Sequence, residues 1–151
     1  EKRKFDPGTT ARLNQAFHRP QPRIAEGQLL AGHGVKAAID ISDGLLADLG
    51  HICTHSRVGA RVEVERVPVS PAARAGFGEA ARELALAGGE DYELLFTGPP
   101  EVIDNVKAAA CPFTVIGEIT AAQDRKIALV DGQGKPVSLD RTGWEHFTHS
   151  G

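Results

Sequence analysis

Ala38-Ile39-Asp40-Ile41-Ser42-Asp43-Gly44-Leu45 is the stretch that decides the fold. A short apolar run closes on an acid, a polar turn follows, and a helix begins. Residues 36–41 read as a buried strand ending in Asp40. Downstream, Leu45, Leu46, Leu49, Ile52 and Cys53 recur at the spacing of one buried helical face. Ser42 and Asp43 stand where a cap and a negative charge favour a helix start. One carboxylate is thus expected at a strand end and another in the first turn of a helix. Hard cations such as Mg²⁺ take oxygen ligands of this kind. A helix amino terminus offers backbone N–H groups to phosphate, and Gly44 is expected to let the backbone approach a ligand. The same spacing equally suits an ordinary cap and an acid that only satisfies its turn.

Working outward, the pattern predicts mixed elements. Residues 10–17 suit a short helix after a polar start, the Pro20 and Pro22 segment an extended connector, and 24–32 another helix. Residues 60–67 alternate, as in a half-exposed strand. Helices are expected over 70–76, 79–87 and 101–110, and strands over 92–97 and 113–119. A hairpin pairs 126–130 with 136–139 around Asp131-Gly132. Such an order predicts an α+β fold with a mixed β-sheet covered by helices.

Composition narrows the function classes. The chain has 151 residues, 41% hydrophobic and 25% charged, enough for one domain with a true core. Seventeen Lys and Arg against twenty Asp and Glu give a formal net charge of −3. No basic patch in sequence points to a nucleic-acid backbone. No apolar run has bilayer length and no signal peptide is evident, so a cytoplasmic protein is expected. Cys53 and Cys111 are expected to be reduced structural residues. The chain starts at Glu1 and contains no Met, which is expected of an excised or processed piece.

Two further segments carry chemistry. Gly88-Gly89-Glu90-Asp91-Tyr92-Glu93-Leu94 places two acids after two glycines, just before a strand. It reads as a tight turn aiming carboxylates into a cleft, or as a helix stop with a solvated loop. Gly143-Trp144-Glu145-His146-Phe147 holds the lone Trp, suited either to stacking on a ring-shaped ligand or to plugging the core. His51, Cys53 and His55 alternate along a helix, so the three cannot converge on one metal; only the two histidines share a face. Neither GxGxxG nor a Walker loop is present.

In this order these segments resemble the thiamine-monophosphate kinase family. The resemblance is carried by His18-Arg19-Pro20-Gln21-Pro22-Arg23, by 38–45 and its continuation Asp48-Leu49-Gly50-His51-Ile52, by Val58-Gly59-Ala60, by 88–94, and by Gly143-Trp144 with His146-Phe147. It runs from about Phe17 to Phe147. It implies the carboxy-terminal domain of a superfamily that includes aminoimidazole ribonucleotide synthetase and selenophosphate synthetase. Residues 18–151 would form that domain, and 1–17 a linker to a missing amino-terminal domain. The implied reaction moves the γ-phosphoryl group of ATP onto thiamine monophosphate, giving thiamine diphosphate, with several Mg²⁺ ions screening the phosphates. By motif, Asp40 and Asp43 would hold Mg²⁺, Ser42 would contact ATP, and Glu90 and Trp144 would meet the thiamine substrate. No side chain is implied as a covalent nucleophile. A homodimer is implied for the full-length enzyme, little activity for this chain alone, and no nucleic-acid or membrane partner. The alternatives are a paralogous ATP-using synthetase and a non-catalytic ligand-binding module.

Overall fold

A computed structural model of the chain describes residues 5–121 and 126–139. The first helix, α1 (Pro7–His18), begins earlier than its apolar spacing suggested, because Asp6 caps it. The Asp6 carboxylate accepts the Thr9 N–H at 3.0 Å, and Pro7 takes the first helical position, where no N–H is needed. Its packing partner is α4 (Pro71–Phe77), with Phe5 and Phe77 rings 5.4 Å apart. Helix α2 (Ile24–Gly32) follows the proline connector and buries Leu30.

The central elements follow the opening stretch. Strand β1 (Ala37–Asp40) leads into α3 (Leu45–Ser56), whose buried residues are Leu45, Asp48, Leu49, Ile52 and Cys53. Arg57 ends α3 in the left-handed conformation, with its N–H directed back to the last turn. Helix α5 (Ala80–Ala87) packs on α3 and stops where the Gly88 N–H donates to the Leu84 carbonyl at 2.7 Å.

Among the described residues, five strands divide between two sheets. β1 pairs antiparallel with β3 (Leu94–Thr97), running from Ala37 opposite Thr97 to Asp40 opposite Leu94. β2 (Gly59–Glu63) is the middle of a mixed sheet, antiparallel to β4 (Gly117–Thr120) and parallel to β5 (Ile127–Val130). Helix α6 (Pro100–Ala108) joins β3 to the segment before β4. The α+β class and the mixed sheet are as expected, although the pairing is split between two sheets. One core joins both: Leu45, Leu49, Ile52 and Cys53 of α3 meet Ala60, Val62, Val64, Leu86 and Leu95. Among the described residues, no helix is long and apolar enough to cross a membrane. Both cysteines are free thiols, and burial pushes the Cys53 thiol upward.

Four expected elements are shorter or different, each for a physical reason. The strand expected over 60–67 gives way at Val64 to a 3₁₀ turn, which still buries Val64. The strand expected to start at Tyr92 starts at Leu94, because Tyr92 has φ of 51°. Between Pro112 and Ile116 there is no ladder; Phe113 instead packs edge-on to Phe96 at 5.3 Å, and β4 begins only at Gly117. The last hairpin is a Val130–Pro136 bridge flanked by two backbone bonds, Asp131 N–H to the Lys135 carbonyl at 2.9 Å and Val137 N–H to that of Leu129 at 2.8 Å. Pro136 faces Val130 where the ladder asks no N–H of it. That turn is tied by the Asp131 carboxylate, which accepts from the Gln133 and Lys135 N–H groups.

Leu86 has no exposed surface and is the largest fully buried side chain among the described residues. Leu86→Ala is expected to lower the unfolding free energy by about 3 kcal/mol, since the α3–α5–sheet contact cannot collapse around the void; urea titration reads this directly.

Candidate active site

The β1–β3 ladder ends at Asp40 and Leu94, so the turn leaving β1 and the turn approaching β3 emerge side by side. Beyond the ladder, backbone bonds continue the seam. Ile41 N–H donates to the Glu93 carbonyl at 2.9 Å, Tyr92 N–H to Ile41 at 2.8 Å, and Glu90 N–H to Ser42 at 2.9 Å. The two acidic motifs, some fifty residues apart in sequence, are therefore one structure. Their glycines serve that contact. A Cβ on Gly89 would lie 2.5 Å from the Ser42 carbonyl oxygen, and one on Gly44 would lie 3.0 Å from that of Ala87. Gly44, at φ of 121°, clears space for the end of α5 and the opposing turn.

The start of α3 also differs from expectation. Gly44 is the N-cap, and neither Ser42 nor Asp43 caps through its side chain. The cap is supplied from inside the helix. Asp48 is 1% exposed, and one of its carboxylate oxygens accepts the N–H groups of Ser42, Asp43 and Gly44 at 3.0, 3.1 and 3.1 Å. These three donors therefore face Asp48 and are not offered to a phosphate. The sequence contained the signal: Asp48 lies three residues after Leu45 and four before Ile52, on the buried stripe itself. A charge there must be paired inside the protein.

The other acids point outward. Asp40, Asp43 and Glu90 are exposed. No hydrogen bond or ion pair among the described residues engages their carboxylates, nor the Ser42 hydroxyl. Asp43, Asp48 and His51 each bring one ligand atom within 4.8 Å of the others. Asp40 is not in that group. His51 and His55 line a shallow groove of about 320 Å³ beside β1, and Cys53 is buried on the other face of the helix, as the spacing required. Trp144 and its segment lie outside the described residues.

Around the second turn the charge is unevenly balanced. Arg23 grips Glu93 through two hydrogen bonds, Nε to Oε2 at 3.0 Å and Nη2 to Oε1 at 2.7 Å, which raise its already high pKa further. Asp91 has its pKa raised, first by desolvation of the carboxylate and then by the charge of Glu93. Glu90 and Tyr92 both have left-handed backbones, with φ of 66° and 51°. For non-glycine residues this costs on the order of 1 kcal/mol each and persists only where neighbours enforce it. Chemically, the seam presents unpaired carboxylates and a hydroxyl on a rigid backbone frame. The donor set fits a hard, oxygen-seeking cation.

A family model described as AIR synthase related protein, C-terminal domain, matches residues 7–130. The chain belongs to this family. Among curated proteins, this C-terminal domain is 44% identical over 134 residues to the thiamine-monophosphate kinase of Escherichia coli K12, covering 85% of the chain and 40% of that protein. It is 41% identical over 144 residues to the enzyme of Haemophilus influenzae, covering 91% of the chain and 44% of that protein. The domain thus spans less than half the length of these relatives. Among solved structures it is similar to thiamine-monophosphate kinase from Stenotrophomonas maltophilia K279a, with TM-score 0.74, 37% identity, and coverage of 87% of this chain and 42% of that one. It is also similar to AaThiL complexed with AMPPCP and TMP, with TM-score 0.76, 32% identity, and coverage of 97% and 44%.

Two outcomes follow for the domain. Asp48→Ala is expected to cost about 3 kcal/mol or more in urea unfolding, because it leaves three turn N–H groups without their acceptor; Asp48→Asn, which keeps an acceptor but not the charge, is expected to cost less. Asp91 contributes one part of the pH dependence. Its folded pKa lies above the ordinary 3.8, so the folded state binds its proton more tightly. Its contribution is fully present below pH 3.8 and is lost as pH rises through the folded value. Asp91→Asn is therefore expected to raise the thermal midpoint at pH 7 and to leave it unchanged at pH 3, as differential scanning calorimetry would show.

Proposed function

We propose that this chain is the carboxy-terminal half of a thiamine-monophosphate kinase, which transfers the γ-phosphoryl group of ATP to thiamine monophosphate and yields thiamine diphosphate. The observation that carries the reading is the seam itself. The Asp40–Gly44 and Gly88–Glu93 turns resemble two motifs of that family, and backbone bonds join them into one acidic rim. The similarity to thiamine-monophosphate kinases, and to a relative solved with AMPPCP and TMP, supports both substrates. On this reading residues 18–151 form the carboxy-terminal domain, and 1–17 lead from an amino-terminal domain that supplies the rest of the ATP site and most of a homodimer contact. The setting is cytoplasmic, consistent with two free thiols.

Phosphoryl transfer needs alignment and charge neutralisation more than a covalent nucleophile. Asp40 and Asp43 are the residues that would hold Mg²⁺, because their carboxylates are exposed and unengaged among the described residues. Bound there, Mg²⁺ would neutralise phosphate charge and orient the oxygens in line. Ser42 has its N–H committed to Asp48 and its carbonyl to Glu90, so its hydroxyl is the group left for an ATP phosphate. Glu90, presented by its left-handed backbone, would face the cationic thiazolium ring, and Trp144 would supply an aromatic wall beside it. Asp48 takes no part in the transfer; it holds the turn that carries the others.

The test is a full-length protein given ATP, thiamine monophosphate and Mg²⁺, with thiamine diphosphate measured by chromatography. Asp40→Ala and Asp43→Ala are each expected to lower kcat by about a hundredfold or more while leaving the thermal midpoint nearly unchanged. Chelation is expected to abolish turnover, and the 151-residue chain alone to show little. Unchanged turnover in both variants would favour a non-catalytic binding module, and phosphorylated intermediates without thiamine diphosphate would favour a ligase-type synthetase.

A further inference from the structure

Arg23 belongs to the proline-rich motif that the proposed chemistry leaves unused. It stands immediately before α2 and reaches a partner seventy residues away in sequence. Two guanidinium nitrogens meet the two oxygens of Glu93 at 3.0 and 2.7 Å, while Nη1 reaches Glu26 at 3.5 Å. Such a fork fixes the orientation of a carboxylate as well as its position, which a lysine cannot do. Glu93 is the last residue before β3, and its carbonyl accepts the Ile41 N–H. At the opposite end of the turn, the Gly88 N–H is tied to Leu84 at 2.7 Å. Glu90, Asp91 and Tyr92 are therefore suspended between two anchors, one on α5 and one on Arg23.

The ion pair is partly exposed, with side chains 33% and 55% accessible. Pairs of this kind add little to global stability. Their two-point geometry can nevertheless hold a local backbone that would relax if released. Here that backbone includes the left-handed Glu90 and Tyr92, whose N–H groups bond to Ser42 and Ile41.

We propose that Arg23 is a positioning residue: through its fork on Glu93 it holds the 88–93 turn against the 40–44 turn, and so sets Glu90 for the phosphoryl acceptor. The role of Glu90 rests on the kinase reading above; the mechanical clamp does not.

The experiment uses full-length protein carrying Arg23→Ala, Glu93→Gln, both together, and Arg23→Lys. Amide hydrogen exchange is read at Glu90 and Tyr92, with the Asp48 amide inside α3 as internal reference, alongside steady-state kinetics. Either single change is expected to speed exchange at Glu90 and Tyr92 by about five- to tenfold and to leave Asp48 unchanged, since freeing a local segment by about 1 kcal/mol has that effect. KM for thiamine monophosphate is expected to rise by a similar factor with kcat changed less than about twofold. The double variant should be no worse than either single, and Arg23→Lys should recover part of the loss. Exchange that stays at the wild-type rate in both singles, or effects that multiply in the double, would overturn the clamp. Faster exchange with unchanged KM would overturn the positioning role. If the unsubstituted protein makes no thiamine diphosphate, the kinase reading falls and the exchange rates alone decide the clamp.

Discussion

The structure depends on where one buried charge is placed. Asp48 sits on the apolar stripe of α3 and would be costly there without partners. It is stabilised by accepting three consecutive backbone N–H groups from the turn that precedes its own helix. That arrangement requires the chain to curl from β1 into α3 with its amides facing inward, and Gly44, at φ of 121°, is the residue that permits the curl. Once the amides point in, the carbonyl of Ser42 points out, where the Glu90 N–H meets it. The second turn is thereby joined to the first, and β3 is brought into register beside β1.

This division also separates two kinds of carboxylate. The buried acid is fully committed to the backbone and behaves as part of the scaffold. Asp40, Asp43 and Glu90 stay exposed and unengaged among the described residues, on a frame held by main-chain bonds. On the reading proposed above, such a site would keep its geometry without spending its functional groups on internal contacts, the condition that precise positioning of metal and phosphate demands.

The sequence made some of this legible and hid the rest for identifiable reasons. Helix α3 was plain because Leu45, Leu49, Ile52 and Cys53 repeat at helical spacing, and both acidic turns were marked by their glycines. Their contact was not, because pairing between β1 and β3 is non-local and no pattern within either segment encodes it. Asp48 is hard to find in sequence because an acid in a helix suggests solvent unless its place on the apolar stripe is weighed. Ser42 and Asp43 are cap residue types, yet the acceptor of the turn's amides is Asp48, one turn inside the helix. The start of β3 lies later than its apolar run because Tyr92 has a left-handed backbone. The fold class is insensitive to such shifts, since it rests on the order of elements and not on their ends.

The uneven charge around the second turn carries a final consequence. Desolvation, and after it the charge of Glu93, raises the Asp91 pKa, although Arg23 already grips Glu93. Asp40, Asp43 and Glu90 add exposed carboxylates that no ion pair among the described residues engages. A surface selected for stability alone would intersperse opposite charges here. On the kinase reading proposed above, a divalent cation or a cationic ring entering the seam would balance these carboxylates. The left-handed Glu90 and Tyr92 hold the acidic rim in place through main-chain bonds to Ser42 and Ile41.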